Sequence, residues 1–184
     1  MAPPANSQTC ARRLHLKNYI LLAVDAFLFL CISMYLGTGW SLLLFSFPIA
    51  PKLTVSTYYL QFVPQVTAAT AFFTKMTAAM IAANLVMLVA EWRTKLRWVP
   101  IVVLLAVIAA TVLTIKLILP LNAIMAQGIT DQTQLQDILS RWIMLNKWRV
   151  ALWTIQWFAM MVYFVVAWCP QYRAPSLRTP SQKN

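Results

Sequence analysis

Acidic residues are scarce in this sequence, and so is charge of either sign. Aspartate and glutamate together contribute 4 of 184 residues, and all charged residues make up 10% of the chain. A soluble globular domain carries about 25% charged residues, so this composition excludes an ordinary soluble domain. With 61% hydrophobic residues, the chain is predicted to be a membrane protein.

Glycine, histidine and cysteine are also rare, and their scarcity excludes several kinds of site. The segment "GTG" at 37–39 lacks the further glycines and the lysine of a phosphate-binding loop. A single histidine, His15, excludes a bis-histidine haem. The cysteines, Cys10, Cys31 and Cys169, have no CxxC spacing, which argues against a disulfide framework or a metal knot. We therefore expect no metal and no cofactor.

Long apolar runs predict four membrane-spanning helices. About 20 apolar residues are needed to cross roughly 30 Å of hydrocarbon. Four runs reach this length: 19–40, 67–92, 98–120 and 149–168. The predicted fold is an all-α integral membrane four-helix bundle, 19–168, with a basic cytoplasmic tail before it, 1–18, and a disordered cytoplasmic tail after it, 169–184.

The basic residues predict the orientation of the bundle. Nine of them lie before the first run, between the second and third runs, or after the fourth: Arg12, Arg13, Lys17, Arg93, Lys95, Arg97, Arg173, Arg178 and Lys183. These segments share one side of a four-helix protein, and cytoplasmic loops are the ones enriched in Lys and Arg. We predict a plasma (inner) membrane protein with both termini in the cytoplasm, whose basic residues contact lipid headgroups and not nucleic acid.

The connection after the first run, residues 41–66, contains Pro48, Pro51 and Pro64. Because proline removes a backbone donor and clashes with the preceding turn, we predict an ordered aromatic cap here instead of a regular helix. The apolar segment "SLLLFSFPIAP" leaves open a longer first helix or a short fifth membrane element.

Asp25 and Asn84 are polar residues predicted to lie inside the membrane. They fall at a similar depth on the first and second helices, which predicts a hydrogen bond between them. Such a contact either joins the two helices or handles protons. Glu91 is placed at the cytoplasmic rim, as a solvated ion partner of Arg93.

Basic residues of three helices are predicted to meet toward the outer side. These are Lys75, Lys116 and Arg149, with Arg141 and Lys147 nearby. Cations on this side indicate an anionic or carbonyl-bearing ligand. The alternative is that the two lysines snorkel to outer headgroups and Arg149 merely ends a helix.

The third connection is predicted to contain an amphipathic helix over the outer mouth of the bundle. Thr130 suits a helix cap and Asp131 suits the positive start of a helix. Apolar residues then recur at helical spacing: Leu135, Ile138, Leu139 and Trp142. Trp142, Trp148 and Trp153 are predicted to mark the membrane interface.

Several short motifs together resemble a known family. They are "YLGTGW" at 35–40, a proline-bearing aromatic loop, "PLN" at 120–122 and "RWIMLNKWRVAL" at 141–152. Their order is similar to that in the anthrone oxygenase-like family of small four-helix membrane proteins. Pro120, Asn122, Trp142 and Arg149 match the motif positions of that family. Where its members often carry a histidine just before the arginine, this sequence has Asn146 and Lys147.

The resemblance implies oxygenation of a phenolic or anthrone-type substrate without metal or flavin. It implies that Arg149 and Asn122 hold the enolate oxygen, and that Lys116 or Lys75 favours the enolate. Trp142 would stack on the substrate rings. The remaining residues expected around the substrate are Asn146 and Trp148.

A second interpretation is a non-catalytic accessory subunit that stabilises a larger membrane complex. Short loops and the small residues of "TAAMIAAN" at 77–84, which allow close helix approach, are typical of such a subunit. A homo-oligomer is a further possible assembly. A transporter is less favoured, because the sequence has no inverted repeat.

Overall fold

The computed structural model describes the backbone of residues 5–167 and the side chains of residues 19–167. Within residues 5–167 the regular structure is helical, without strands. Four helices are long and apolar enough to cross a membrane. We name them α1 (Ala5–Ser41), α2 (Tyr58–Glu91), α3 (Trp98–Leu113, continued by Leu119–Ala126) and α4 (Gln132–Ala167). The predicted all-α four-helix bundle is confirmed.

The structure agrees with the prediction for the N-terminal end of the bundle only in part. The apolar part of α1 begins at Tyr19, as predicted, but the helix itself begins at Ala5, inside the predicted tail. The predicted disordered tail, 169–184, lies outside the described residues.

Two prolines are accommodated by wide helical turns. A π-helical turn at Leu42–Ser46 precedes Pro48, and another at Thr114–Ile118 precedes Pro120. A proline ring clashes with the carbonyl four residues earlier and donates no hydrogen bond, and the extra residue of a π turn relieves that clash. Both helices therefore continue past their prolines.

The connection between α1 and α2 is much shorter than predicted. After the first π turn the chain stays helical over Phe47–Ile49 and Ala50–Lys52, and α2 begins at Tyr58. The prediction of an aromatic cap over 41–66 is wrong, because the π turn accommodates Pro48 and the chain stays helical through Lys52. The longer first helix is the alternative that the structure supports.

The loops 53–57 and 127–131 pack together at one end of the bundle, which we call the two-loop end. Tyr58 Oη donates to the carbonyl of Met125 at 3.2 Å and accepts a hydrogen bond from the Ile129 amide. Gln132 Nε2 donates to the carbonyl of Leu53 at 3.0 Å. The 92–97 turn lies at the opposite end, which we call the terminal end.

The predicted amphipathic segment is the first part of α4 and not a separate helix. Its apolar side is buried as predicted: Leu135, Ile138, Leu139 and Trp142. Residues 132–167 contain neither proline nor glycine, so nothing interrupts the hydrogen-bond ladder between this segment and the spanning part. The cap is Asp131 and not Thr130, because Asp131 Oδ2 accepts from the Gln134 amide at 2.8 Å.

Candidate functional site

One face of α4 carries polar or hydrogen-bonding side chains at intervals of seven residues: Trp142, Arg149, Gln156 and Tyr163. Seven residues are two helical turns, so successive members lie about 10.5 Å apart along the helix. Trp142, Gln156 and Tyr163 are buried, and Arg149 is partly buried. This column crosses the bundle from the two-loop end to the terminal end.

Trp142 organises the two-loop end of the column. Its indole Nε1 donates to Asn122 Oδ1 at 3.0 Å, and its carbonyl accepts from Asn146 Nδ2 at 2.8 Å. The rings of Phe62 and Phe47 meet it edge to face, with centroids 4.7 and 5.8 Å away. The structure thus brings together three of the predicted site residues, Asn122, Trp142 and Asn146.

A groove of about 370 Å³ lies between α2 and α3 beside this group. Its walls are mainly apolar, with Phe62, Val66 and Leu119 among them, and Asn122 adds an amide. Since an indole N–H can only donate, the bond to Trp142 fixes Asn122 with its oxygen toward the indole. The Asn122 Nδ2 group then has no hydrogen-bond partner among the described residues, and it remains a donor for a ligand.

Arg149 lies two turns further along α4, on aromatic rings. Its Cζ atom is 4.6 Å from the centroid of the Trp153 ring, and Trp153 packs on Tyr35 with centroids 4.9 Å apart. The Nε atom of Arg149 is buried without a hydrogen-bond partner. Within residues 19–167 the single ion pair is Arg141 with Asp137, so Arg149 has no counter-charge there.

The predicted meeting of three cations does not occur. Lys75 and Lys116 are both exposed on the outside of the bundle, and so are Lys147 and Trp148. A lysine has a long flexible stem that lets its ammonium group reach lipid headgroups, while burial inside the bundle would remove the hydration of the charge. The positions of the two lysines agree with the snorkelling alternative, and only Arg149 is directed inward.

Asp25 is buried, but its partner is not the predicted one. Tyr163 Oη lies 3.0 Å from Asp25 Oδ2 and 3.1 Å from Glu91 Oε1. Asn84 Nδ2 donates instead to the carbonyl of Pro100, at the start of α3, at 3.1 Å. The predicted hydrogen bond between Asp25 and Asn84 is therefore wrong.

Glu91 is also placed differently from the prediction. It accepts from the hydroxyls of Tyr163 and Thr94, while Arg93 is exposed and forms no ion pair with it. Thr94 follows the last residues of α2 and turns its hydroxyl back toward the helix end, which gives Glu91 a closer partner than the arginine.

Two candidate functional residues, Tyr163 and Gln156, were not predicted from the sequence. Tyr163 sits in an aromatic run that resembles an interfacial belt, and Gln156 is a single polar residue in an apolar segment. Gln156 is fully buried, and neither of its amide atoms has a hydrogen-bond partner among the described residues. The signal that identifies both is the seven-residue spacing from Arg149.

Among residues 19–167, no group of three or more His, Cys, Asp and Glu side chains is positioned to hold a metal ion. Comparison of the chain with protein-family models, with curated proteins and with solved structures gives no match. The resemblance to the anthrone oxygenase-like family therefore stays a prediction.

Proposed function

We propose that this protein binds a small aromatic molecule that carries a carbonyl or enolate oxygen, in the two-loop half of the bundle. The observation that carries the proposal is Arg149, a guanidinium with a buried Nε and no counter-charge among the described residues. An ionised group at membrane depth is costly unless it is paired, and a ligand oxygen would supply the missing acceptor.

The surroundings of Arg149 favour an aromatic ligand. The guanidinium already lies over Trp153, which packs on Tyr35, and Tyr35 packs on Phe73 with centroids 4.7 Å apart. Aromatic faces and edges attract other rings in offset or edge-to-face contact. A flat ligand seated beside Arg149 would meet both a cation for its oxygen and rings for its body.

The groove beside Asn122 supplies a second donor on the same side of the bundle. Trp142 and Arg149 are two turns apart on one face of α4, about 10.5 Å, which is comparable with the length of a three-ring aromatic molecule. Arg149 is not itself part of the groove wall. We propose that the groove admits the ligand from the lipid and that Asn122 Nδ2 guides its carbonyl oxygen.

The resemblance extends this proposal from binding to oxygenation. Arg149 would stabilise the enolate formed when the ligand loses a proton next to its carbonyl. In the overall reaction a ring methylene loses two hydrogens, dioxygen supplies the new carbonyl oxygen, and its second oxygen leaves as water. Lys75 and Lys116 face outward, so this proposal assigns them no part in the reaction.

Replacing the buried cation tests the binding proposal. We expect Arg149→Gln to weaken binding of anthrone to the purified protein by at least about tenfold, equivalent to about 1.4 kcal/mol. The measurement is quenching of tryptophan fluorescence. Anthracene, which has the same three-ring carbon skeleton and no oxygen, should bind both proteins alike.

Arg141→Gln is the matched control, because Arg141 lies on the same helix but is exposed and paired with Asp137. It should leave the affinity for anthrone unchanged. Equal affinities in the wild type and in Arg149→Gln would contradict the proposal. Oxygen uptake with anthrone then tests whether binding leads to turnover.

We propose an inner-membrane location with the terminal end in the cytoplasm. Arg93, Lys95 and Arg97 are exposed in the turn at that end, as cytoplasmic loops prefer. In whole cells, a membrane-impermeant thiol reagent should label Ser56→Cys at the two-loop end and leave Thr94→Cys unlabelled. The background is a variant with serine at the three native cysteines, and the opposite labelling pattern would reverse the orientation.

A second candidate function is the accessory subunit, favoured by a shallow groove between α1 and α2. This groove of about 420 Å³ is lined by small and apolar side chains, including Ala23, Phe27, Ala82 and Ala83. Small residues let another helix approach closely. A stoichiometric larger chain that copurifies after gentle extraction would favour this second function over ligand binding.

A further inference from the structure

Tyr163 occupies an unusual position between two carboxyl groups. Its Oη atom is within hydrogen-bond distance of both Asp25 Oδ2 and Glu91 Oε1, at 3.0 and 3.1 Å. A phenol has one proton and can donate to one acceptor at a time. The second contact is a hydrogen bond only if that carboxyl carries a proton of its own and donates it to the phenol oxygen.

The two carboxyl groups differ in their exposure to water, so the hydrogen-bonded contact runs from the interior to the surface. Asp25 is buried, with 7% of its surface exposed, whereas Glu91 is partly exposed at the last residue of α2. Thus the arrangement connects an interior acid, through one hydroxyl, to an acid that reaches the aqueous rim.

Two buried amide side chains with atoms that lack a hydrogen-bond partner within residues 19–167 continue the polar path inward from these residues. Gln156 lies two turns deeper than Tyr163 on the same face of α4, and Asn84 lies two turns deeper than Glu91 on the same face of α2. Both side chains are fully buried, and Gln156 Nε2, Gln156 Oε1 and Asn84 Oδ1 have no hydrogen-bond partner among the described residues. Buried polar atoms of this kind are usually satisfied by ordered water.

We propose that Glu91, Tyr163 and Asp25 form a proton-exchange pathway from the terminal end to a hydrated interior bounded by Asn84 and Gln156. The ligand of this site is a proton, carried inward by exchange along hydrogen bonds, and the amides bind the water beyond Asp25. The proposal is independent of the small-molecule site, because it involves none of the residues assigned to ligand binding.

The transfer step conserves protons. A proton on the Asp25 carboxyl passes to Tyr163 Oη while the phenol proton passes to Glu91, which leaves Asp25 ionised and Glu91 protonated. Glu91 exchanges its proton with water at the rim, and the reverse step returns a proton through Tyr163 to Asp25. Tyr163 is neutral before and after each step, and the charge on Asp25 is transient.

Within residues 19–167, few charged groups other than Asp25 and Glu91 face this pathway. From α4 the facing group is Tyr163, from α2 it is Glu91, and from the 92–97 turn it is the Thr94 hydroxyl. At the start of α3 the buried residues are the apolar Val99 and Pro100. The cations of the turn, Arg93, Lys95 and Arg97, are exposed.

Infrared spectroscopy of the protein in lipid bilayers tests the proposal. At neutral pH we expect a carboxylic acid C=O band that is lost in Asp25→Asn and that shifts when the buffer is exchanged for heavy water. In Tyr163→Phe the band should persist, because Asp25 is still buried, but its shift should be at least about tenfold slower. Phenylalanine fills the same space and cannot relay the proton.

Tyr19→Phe is the matched control, since Tyr19 lies on α1 with 69% of its surface exposed and should exchange at the wild-type rate. If Tyr163→Phe fails to fold, Glu91→Gln breaks the pathway at the rim and should slow the exchange equally. A wild type without the band, or a Tyr163→Phe or Glu91→Gln variant that exchanges as fast as the wild type, would overturn the proposal.

Discussion

Trp142→Ala is expected to lower the free energy of unfolding by about 3–5 kcal/mol, the range for removing a buried tryptophan from a core. The indole is 4% exposed and lies against Phe47 and Phe62. The substitution leaves a cavity at the two-loop end and removes the indole N–H that donates to Asn122 Oδ1. Unfolding followed by circular dichroism in mixed micelles measures the change.

Two further variants separate packing from hydrogen bonding at this position. Trp142→Phe keeps an aromatic ring and loses the N–H, so part of the packing energy and about 1 kcal/mol for the hydrogen bond should be lost. Trp148→Ala removes a tryptophan that is 64% exposed, and its effect should lie within about 0.5 kcal/mol. If Trp142→Ala were as stable as Trp148→Ala, the indole would not support the core.

The same indole connects stability with the proposed function. Because Trp142 Nε1 sets the orientation of the Asn122 amide, Trp142→Phe releases that amide to rotate. The donor that we propose for the ligand is then no longer held in place. The residue that supports the core of the two-loop end therefore also prepares the groove.

The long helices could be predicted from the sequence, because apolar length is the direct requirement for crossing hydrocarbon. The buried side of the first part of α4 could also be predicted, since Leu135, Leu139 and Trp142 follow helical spacing. The continuation of α1 to Lys52 could not. A π turn before Pro48 depends on how the surrounding helices pack, and no local sequence rule specifies it.

The candidate site was predicted only in part, for a related reason. The resemblance named Asn122, Trp142, Asn146 and Arg149 as site residues, and the structure brings the first three together. Whether a side chain faces the bundle or the lipid depends on where the neighbouring helices pack. The predicted depth of Lys75 in the membrane therefore gave no information on its exposure. The predicted hydrogen bond between Asp25 and Asn84 was wrong for the same reason.

The polar column of α4 runs through two halves of the bundle for which we propose different functions. Toward the two-loop end, the Asn122 amide lines a groove, and the buried Nε atom of Arg149 has no hydrogen-bond partner among the described residues. Toward the terminal end, Tyr163 joins two acids and Gln156 faces no partner among the described residues. The helix that contributes to both halves must hold a fixed position against α1, and one glycine of α1 lies at that contact.

Gly39→Ala is expected to lower the free energy of unfolding by about 1–3 kcal/mol, as overpacking of a core does. A Cβ atom at Gly39 would lie 2.7 Å from Trp153 Cε3 and 3.0 Å from Val150 Cγ2. The Trp153 ring has little freedom to move away, because Tyr35 packs on it and Arg149 lies over it.

Gly37→Ala is the matched control and should have the opposite sign. A Cβ atom at Gly37 would meet no atom within 4 Å, so alanine there gains helix propensity and raises stability by about 0.5–1 kcal/mol. Thermal unfolding of both variants beside the wild type measures the pair. Because Gly39→Ala displaces the ring beneath Arg149, it should also weaken anthrone binding, while Gly37→Ala leaves it unchanged. If the two variants changed stability equally, α1 and α4 would not be in close contact at Gly39, and the fixed position of Arg149 would need another support.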